Sequence, residues 1–506
     1  MLNTIHLINV APPFRLGLTN VTFPPSGILY VGGYLKKHGY KVEVHNVHYK
    51  NIQQVATKIA DDASTLFAGF SVKTGKQVTY SALMCKYLKE LKSDLPIVWG
   101  GIHPSLIPNE CLEYDFVDYV VIGEGEITAL ELSEFLSKKT NISDIKGIGY
   151  KANKAIKINE PQPFEKNIDK FSQDWDLVDI QKYVYKHYDG SKKFFYITSR
   201  GCPHNCGFCY NQEFNKRRWR AHSVDFVIND LKQIKEKTGI NVVQFNDDNF
   251  FTNRERGLTI LRKLKEIGIT RAYLELRIDY INEDLIQQLV DLGVKAIFTG
   301  WESGSRSTLD KIAKGFTPEI IVEKIKILSK FKNITADSGS IIAFPWEDKK
   351  DIDDTVSLAL KLFEIMKFRL DINLGIYIPY PGAPVTSDAI NKGFKFPSDY
   401  EGWSKFDILS GEMELPWLTK QDAAYYNLMG KYFKLLYVFH FLKFPIRQFA
   451  HIAAIMAYLR LKTKIFIFPF EIWITDWVKK REFKKFDVVD NSYEIETEIG
   501  KEKILK

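Results

Sequence analysis

Three cysteines stand within eight residues of one another in the segment RGCPHNCGFCY, which occupies positions 200–210. The rest of the 506-residue chain has only two more cysteines. Cys202, Cys206 and Cys209 are separated by three and then two residues, so their thiolates can converge from one tight loop on a single iron-sulfur cluster, whose irons are held by cysteine sulfur. A four-iron cluster with three protein ligands keeps one iron open. This segment therefore predicts a reactive metal centre.

Zinc binding and disulfide formation are the alternatives for these cysteines. A structural zinc site normally needs a fourth Cys or His in a second pair, and His204 has no such pair to join. A disulfide framework is typical of short secreted chains with an even cysteine count, and the first thirty residues do not resemble a signal peptide. The other two cysteines, Cys85 and Cys111, lie on or near predicted helices and are expected to be structural thiols, which leaves no ligands for an auxiliary cluster.

The C-x-x-x-C-x-aromatic-C loop resembles that of the radical S-adenosylmethionine (SAM) superfamily. The resemblance implies that Cys202, Cys206 and Cys209 bind a 4Fe-4S cluster, with Phe208 as an apolar wall of the SAM site. The amino and carboxylate groups of SAM would then bind the open iron, and one electron would cleave SAM to a 5'-deoxyadenosyl radical. Such chemistry belongs to the cofactor and requires an electron donor such as a flavodoxin, a ferredoxin or another reductase.

Alternating strand and helix patterns fill the first 140 residues. Strands are predicted at 4–10, 41–47, 66–72, 96–99 and 118–122, and helices at 27–38, 52–63, 77–91 and 129–137. This α/β alternation predicts a doubly wound, Rossmann-like parallel sheet, in which ligands bind beyond the carboxyl ends of the strands.

Three short loops follow the third, fourth and fifth of these strands. They contain Ser71 and Thr74, then Gly100, Gly101 and His103, and finally Gly123 and Gly125. Glycine lets the backbone approach a large planar ligand closely, and hydroxyl groups can bind it. Each loop taken alone is equally consistent with an ordinary turn.

Together, and directly upstream of the cysteine loop, these loops resemble a cobalamin (B12)-binding domain over most of residues 1–140. The D-x-H-x-x-G motif, whose histidine binds cobalt in methionine-synthase-like proteins, is absent, and residues 9–15 read NVAPPFR. The resemblance therefore implies cobalamin with its dimethylbenzimidazole tail buried in the sheet and no histidine on cobalt.

The remaining chain divides into three predicted segments. At about 150 residues per domain, its length suggests roughly three domains, and its composition is ordinary for a globular protein. Residues 141–192 are charged and contain prolines, which predicts a surface connector. Residues 193–385 resume the alternation with six strands, which suits a partial, TIM-like (β/α)6 barrel such as radical SAM cores resemble. Residues 386–506 are predicted to be mainly helical.

Active residues of such a barrel are expected at the carboxyl ends of its strands. Asp247 follows the second strand, where an acidic group beside the SAM ammonium makes electrostatic sense. Its neighbour Asp248 equally fits a helix-capping turn. Arg277 ends the third strand and can reach the SAM carboxylate as a fork, although a structural arginine fits the position nearly as well.

The later strand ends supply further candidates for SAM binding. Glu302 and Ser303 lie in a segment that resembles the family's G-x-E-S-G-S sequence, which implies contacts with ribose hydroxyls. An N-capping turn is the alternative. Backbone groups near Ile341 and Ala343 are placed to hold adenine. The turn at 379–384 resembles the P-x-P-G-T-P-like turn of anaerobic magnesium-protoporphyrin ester cyclases, although a rigid proline turn without chemistry is slightly favoured.

Positive charge is concentrated in residues 431–485, which hold twelve Lys and Arg against three Asp and Glu and include fourteen aromatic residues. Since the whole chain is +8, the rest is about neutral. The aromatic members include Phe433, Tyr437, Phe439, Phe441, Phe466, Phe468, Phe470, Trp473 and Trp477. Basic aromatic helices suit an anionic membrane surface, while a helical cap over the barrel is the alternative. No RNA-binding module is visible, so nucleic acid is not an expected partner.

The sequence thus predicts a cobalamin-dependent radical SAM methyltransferase that methylates an unactivated carbon through a 5'-deoxyadenosyl radical and methylcobalamin. Its substrate would be a small molecule, a lipid or a lipid-linked intermediate. The expected location is cytoplasmic, with peripheral contact at the inner face of the membrane. A radical SAM and cobalamin cyclase or rearrangement enzyme is the first alternative, and a non-catalytic cobalamin or iron-sulfur sensor is the second.

Overall fold

The computed structural model describes residues 3–11, 15–16, 19–20, 23–138, 140–153, 155–187, 189–406, 413–437 and 446–475. Within this part of the chain, two seven-stranded sheets follow one another along the sequence. Two short two-stranded ribbons accompany them.

The first sheet is a doubly wound α/β layer. Its region contains strands β1 (Thr4–Ala11), β2 (Arg15–Leu16), β3 (Thr19–Asn20), β4 (Lys41–His48), β5 (Thr65–Ser71), β6 (Ile97–Gly100), β7 (Tyr119–Val121), β8 (Ile148–Ala152) and β9 (Ala155–Ile158), and helices α1 (Ser26–Lys37), α2 (Ile52–Asp61), α3 (Lys76–Leu91), α4 (Ile102–Leu106), α5 (Pro108–Glu113) and α6 (Gly125–Leu136). The strand order is β4-β1-β5-β6-β7-β8-β9, and all pairs from β4 to β7 are parallel. The predicted fold class is confirmed.

Burial on both faces explains the continuous apolar strands of this sheet. Ile5, Leu7, Ile8 and Val10 of β1 are all buried, which is typical of a parallel strand covered on both sides. Helices α1 and α6 pack together, and so do α2 and α3. Because β5, β6 and β7 run parallel, the loops at their carboxyl ends lie at the same edge of the sheet.

Strands β8 and β9 lie inside the segment that the sequence predicts as a surface connector. They continue the first sheet as antiparallel strands, with Ile148 and Tyr150 buried beside β7 and β9 exposed at the edge. The charged, solvent-facing residues of this edge hide the strand pattern in the sequence.

The second sheet is a curled half-barrel. Its region contains strands β10 (Tyr185–Lys186), β11 (Lys192–Tyr196), β12 (Ser199–Arg200), β13 (Arg220–Ala221), β14 (Val242–Phe245), β15 (Arg271–Glu275), β16 (Val294–Glu302), β17 (Thr335–Ile342) and β18 (Leu370–Ile376), and helices α7 (Asn211–Phe214), α8 (Val224–Thr238), α9 (Arg254–Glu266), α10 (Glu283–Asp291), α11 (Arg306–Lys311), α12 (Pro318–Ser329), α13 (Lys349–Met366) and α14 (Thr386–Asn391). Six parallel strands run from β11 to β18 in the order β11-β14-β15-β16-β17-β18, and β10 adds an antiparallel edge.

Two further helices pack against the end of the half-barrel. Helix α15 (Lys420–Leu435) buries Met429, Tyr432 and Phe433 and lies against β18, and α16 (Ile446–Thr463) packs on α15. No helix in the described ranges is long and apolar enough to cross a membrane. Phe439, Phe441 and Trp477 of the predicted basic aromatic region lie outside the described residues.

Candidate cluster and cofactor site

The cysteine loop leaves the half-barrel after β12 and enters the short helix α7. Cys206 is buried, Cys202 and Cys209 are half-buried, and all three are free thiols. The Cys209 backbone N–H donates to the carbonyl oxygen of Cys206 at 3.0 Å, and the Gln212 amide donates to the same oxygen at 2.9 Å. Burial raises the pKa of Cys209 to about 12, so a bound metal ion would have to displace a firmly held proton. The loop places the predicted iron ligands on one small turn.

Glycines make the tightness of this loop possible. Gly201 has a φ of +81°, and a methyl group there would collide with the carbonyl oxygen of Arg218. A methyl group on Gly207 would lie 2.8 Å from the side chain of Val385. The Val385 N–H in turn donates to the carbonyl oxygen of Gly207 at 3.0 Å. The turn that follows the last strand therefore holds the cysteine loop, which is a structural role for the proline-rich turn.

Gly201→Ala tests this close packing. We expect destabilisation of about 2 kcal/mol or more, because the left-handed backbone and the collision with Arg218 both carry a cost, together with reduced iron content after reconstitution. The matched control is Gly39→Ala, where φ is +89° but no atom lies within 4 Å of the added methyl group. Urea unfolding and iron analysis measure both effects. If both variants lost the same stability and kept a full iron content, the close packing of the cysteine loop at Gly201 would be contradicted.

Two cations lie beside the buried cysteine. The Arg277 guanidinium lies 3.6 Å from the Cys206 sulfur and also donates to both carboxylate oxygens of Asp279 at 3.0 Å. The buried Lys314 ammonium lies 3.0 Å from Glu302 Oε1 and 5.5 Å from the ring centre of Phe208. Each cation is paired with a carboxylate, so the four side chains are neutral together, and an Arg277 N–H also faces the Cys206 sulfur. The predicted residues Phe208, Arg277 and Glu302 therefore lie together around these two cations. No pattern in the sequence pointed to Lys314.

The two aspartates after β14 hold the loop rather than point away from the protein. Asp247 accepts hydrogen bonds from the backbone N–H and hydroxyl of Thr198 and from the hydroxyl of Ser199. Burial raises its pKa, and these hydrogen bonds oppose that shift. Asp248 accepts from the Gly201 N–H at 3.0 Å. The Asp247 carboxylate therefore fixes the strand that leads into the loop, and its contact with the SAM ammonium stays a prediction.

Three other predicted SAM contacts are also used within the protein. The buried Ser303 hydroxyl pairs with Thr355 Oγ1 at 3.0 Å and accepts from the backbone N–H of Ser305 at 3.1 Å, so it shapes its own turn. The Ala343 carbonyl oxygen accepts from the Trp417 indole at 2.9 Å. Ile341 lies inside the β17–β18 ladder. Because these partners come from distant segments, the sequence pattern does not reveal them.

Glu275 is a candidate functional residue that the sequence analysis missed. It ends β15 two residues before Arg277, and the alternation of a strand places both side chains on one face. Within the described ranges, its carboxylate has no hydrogen-bond or ion-pair partner. Burial raises its pKa to about 8, and the neighbouring charges of Asp248 and Asp247 add to the shift. The signal available in the sequence was an acidic residue two positions before Arg277, at the end of the strand.

The loop after β6 presents a buried histidine to the edge of the first sheet. His103 Nδ1 lies 3.1 Å from the Thr74 hydroxyl, and the ring packs against Trp403 with 4.6 Å between ring centres. Burial lowers the His103 pKa to about 3, which keeps the imidazole neutral. Its Nε2 has no hydrogen-bond partner in the described part of the chain. Such an orphaned buried atom fits a ligand that enters between these loops and supplies the missing partner.

The glycines of the same edge leave room for a ligand. Gly101 has a φ of +96°, and a methyl group there would lie 3.0 Å from the Val72 carbonyl oxygen. Around Gly123, with a φ of +85°, no atom lies within 4 Å of an added methyl group. Gly100 and Ser71 end neighbouring strands opposite each other. These loops and Gly125, the first residue of α6, line one edge of the sheet.

Ion pairs join this edge to the cysteine loop. Arg200, two residues before Cys202, donates to Glu124 Oε1 at 2.9 Å and to Glu126 Oε1 at 2.6 Å. Arg220, its partner in the β12–β13 ribbon, donates to Glu124 Oε2 at 2.6 Å. These side chains are largely buried. The loop after β7 in the first sheet is therefore fixed directly against the start of the cysteine loop.

Comparisons with known proteins agree with this two-part arrangement. Residues 17–133 match the family model of the B12 binding domain, and residues 196–359 match that of the radical SAM superfamily. An uncharacterized methyltransferase of Pyrococcus horikoshii is 28% identical over 435 residues, which cover 84% of this chain and 91% of that protein. The hopanoid C-3 methylase of Methylococcus capsulatus is 29% identical over 308 residues, covering 58% of this chain and 55% of that protein.

A solved structure also shares the fold. The cobalamin-dependent S-adenosylmethionine radical enzyme OxsB with aqua-cobalamin bound superposes with a TM-score of 0.68 at 17% identity, over 96% of this chain and 76% of that chain.

Proposed function

We propose that this chain, which is a radical SAM enzyme with a B12-binding domain and uses a 4Fe-4S cluster, SAM and cobalamin, is a methyltransferase that acts on an unactivated carbon. The observation that carries the proposal is the direct contact between the two cofactor edges through Arg200, Glu124 and Glu126. Such contact suits a reaction in which one substrate meets both cofactors. The printed names of relatives, including a methyltransferase and a methylase, support the same reaction class.

Each part of the site has a distinct task in this proposal. When bound, SAM on the cluster supplies the 5'-deoxyadenosyl radical, and cobalamin carries the methyl group. Cys202, Cys206 and Cys209 hold the cluster, and the Arg277 guanidinium faces the Cys206 sulfur. Burial of the cysteine loop keeps water away from the site of radical formation. Glu275, with its unpartnered carboxyl group, is placed to receive a polar group of SAM or of the substrate.

Product analysis tests the methyl-transfer reaction. The reconstituted enzyme is incubated with SAM, a reductant and an extract that contains the substrate, and 5'-deoxyadenosine and S-adenosylhomocysteine are quantified. The proposal predicts that both products accumulate together and that S-adenosylhomocysteine disappears when cobalamin is omitted. Formation of 5'-deoxyadenosine alone, with cobalamin bound, would instead support the cyclase or rearrangement reaction. Absence of both products would support a sensor.

His103→Phe tests the proposed cobalamin site. The substitution keeps an aromatic ring against Trp403 but removes the buried Nε2, so we expect the affinity for cobalamin to fall roughly tenfold, the usual cost of losing one buried hydrogen bond. Equilibrium titration of the apoprotein with cobalamin measures the change. Iron content and the affinity for SAM serve as internal controls and should not change. Unaltered cobalamin affinity would remove His103 from the site.

We further propose that the substrate is lipid or lipid-linked and that the region around α16 contacts an anionic membrane. Nine of the fourteen exposed large hydrophobic side chains of the described surface lie between residues 452 and 474. Ile452, Ile455 and Leu459 share one face of α16, and Ile467 and Phe468 are 68% and 74% exposed. So concentrated an apolar surface beside basic residues suits the headgroup boundary of a bilayer.

The described part of the region also packs as a cap on the barrel, so both predicted roles are compatible. Arg460 donates to Glu471 Oε1 at 2.7 Å and to the carbonyl oxygens of Ile467 and Phe468, and these bonds hold the exposed turn in place. Lys434 and Lys464 pair with acidic residues of the barrel. The membrane proposal therefore rests on the outward apolar face.

Vesicle flotation tests this contact. We expect the enzyme to float with vesicles of phosphatidylglycerol and phosphatidylcholine, less so at high salt, and the triple variant Ile452→Ser, Ile455→Ser, Leu459→Ser to bind at least roughly tenfold more weakly, because three aliphatic side chains are lost from the interface. Leu91→Ser removes an exposed aliphatic side chain elsewhere and serves as the control. Equal flotation of the triple variant and the wild-type enzyme would contradict the proposal.

A further inference from the structure

The first sheet carries a second cluster of potential metal ligands near its amino end, away from the loops that face the cysteine segment. His6 lies near the start of β1 and pairs in register with Glu43 of the edge strand β4. His45 follows Glu43 by two residues and therefore lies on the same face of the strand. Asp62 lies between α2 and β5 and completes the group. Nothing in the proposed reaction uses these four residues.

The ligand atoms are spaced for one small cation. His6 Nδ1 and His45 Nε2 are 3.0 Å apart, and each lies 4.0 Å from Glu43 Oε2. The point equidistant from these three atoms lies about 2.2 Å from each, close to the distances of about 2.0–2.2 Å at which imidazole nitrogen and carboxylate oxygen bind zinc. Two histidines and one carboxylate form a common protein ligand set for this ion.

The surroundings favour the protonation states that such a site requires. Asp62 Oδ2 lies 3.3 Å from His6 Nε2, a buried nitrogen without a hydrogen bond among the described residues, so Asp62 is placed to accept the Nε2 proton when Nδ1 binds a metal. With the His6 proton on Nε2, His45 Nε2 donates to His6 Nδ1 across the 3.0 Å contact in the free protein, and a metal ion would replace that hydrogen bond. A metal-bound His45 would carry its proton on Nδ1, so binding releases no proton from either ring.

Two lysines balance the charge of the cluster. Lys58 Nζ lies 3.0 Å from Glu43 Oε2, and Lys41 Nζ lies 3.3 Å from Glu43 Oε1. Both ammonium groups are on exposed, flexible side chains that can move into solvent, so a divalent ion can take the place of Lys58 beside Glu43. His6 itself is buried and cannot move away from its neighbours.

We propose that His6, Glu43 and His45 bind Zn²⁺ or a similar divalent transition-metal ion, with Asp62 as the residue that orients His6. The ion would join the edge strand β4 to the central strand β1 and, through Asp62, to the start of β5. Its role is structural: it holds the edge of the sheet whose other end carries the loops proposed for cobalamin.

Zinc binding to the full-length enzyme, with its cluster in place so that the cysteine loop is occupied, tests the proposal. After equilibration with Zn²⁺ and removal of the excess, elemental analysis should find one zinc per chain. His45→Gln should lose it, whereas His38→Gln, which alters an exposed histidine outside the cluster, should retain it. Asp62→Asn should weaken binding roughly 10- to 100-fold, as loss of an orienting carboxylate usually does.

Cobalt spectroscopy identifies the ligands independently of activity. In the variant with Cys202, Cys206 and Cys209 replaced by alanine, Co²⁺ should give the visible bands of a nitrogen and oxygen site without thiolate-to-metal charge transfer, and Glu43→Gln should abolish them. The proposal is overturned if zinc content does not differ between the wild type and His45→Gln. It is equally overturned if the variant without the three loop cysteines binds no cobalt.

Discussion

Cys206→Ala is expected to abolish the iron-sulfur cluster and, with it, all formation of 5'-deoxyadenosine from SAM. Cys206 is the most deeply buried of the three loop cysteines, its sulfur faces Arg277, and the loop has no spare thiol in its sequence to replace it. Loss of one of three ligands removes the open-iron arrangement on which SAM cleavage depends. Iron analysis, the visible absorption of the cluster and product quantification each measure the loss.

Two controls separate loss of the ligand from loss of the fold. Cys85→Ala removes a buried thiol that accepts from the Trp99 indole at 3.3 Å, and we expect it to cost about 1 kcal/mol of stability while iron content and activity persist. Cys206→Ala should still bind cobalamin, because those loops belong to the other sheet. If Cys206→Ala retained the cluster absorption and turnover, the assignment of the iron ligands would be wrong.

Arg200→Met is expected to destabilise the enzyme by about 3–5 kcal/mol, since it leaves the buried Glu126 carboxylate unpaired and Glu124 with Arg220 alone. The guanidinium also lies over the ring of Tyr30, with 4.6 Å to the ring centre, so packing is lost as well. Because this arginine joins the two cofactor edges, methyl transfer should fall more than SAM cleavage. Urea unfolding and the ratio of the two SAM products measure these effects.

A matched pair of variants isolates the effect of burial in this prediction. Arg254→Met breaks the exposed ion pair with Asp284 and should cost no more than about 1 kcal/mol. Adding Glu126→Gln to Arg200→Met should recover part of the stability, because Glu126 is the carboxylate left unpaired, whereas Glu124 keeps its ion pair with Arg220. Equal losses of stability in Arg200→Met and Arg254→Met would show that the buried contact does not hold the two cofactor edges together.

The sequence predicted the long strands and helices of the first sheet, but not the short helices α4, α5 and α7 beside the two candidate sites. The predicted strand at 4–10 is Thr4–Ala11, and the predicted helix at 27–38 is Ser26–Lys37. Continuous apolar strands that alternate with amphipathic helices leave few other folds, because parallel strands need a crossover between them. The short strands β8, β9 and β10 were not predicted: β9 and β10 are edge strands with exposed charged residues, and β8 is a five-residue strand between β7 and β9.

The side-chain partners at the site lie beyond the reach of local patterns. The hydrogen bonds of Asp247 come from residues 48 and 49 positions away, and Ser303 pairs with Thr355, 52 positions away. Arg200 meets its two glutamates across more than 70 residues. A motif shows that a carboxylate or hydroxyl stands at a strand end, but only the packed chain shows which neighbour it binds. Likewise, only the packed chain shows that the Glu275 carboxylate has no partner among the described residues.

The central claim is that a methyl group passes from SAM to cobalamin held against the cysteine loop. The most direct measurement supplies the reduced, cobalamin-loaded enzyme with SAM that carries an isotopically labelled methyl group, and analyses the protein-bound cobalamin by mass spectrometry before any substrate is added. We expect labelled methyl on cobalamin in a one-to-one ratio with S-adenosylhomocysteine. Cobalamin that stays unlabelled while 5'-deoxyadenosine accumulates would contradict it.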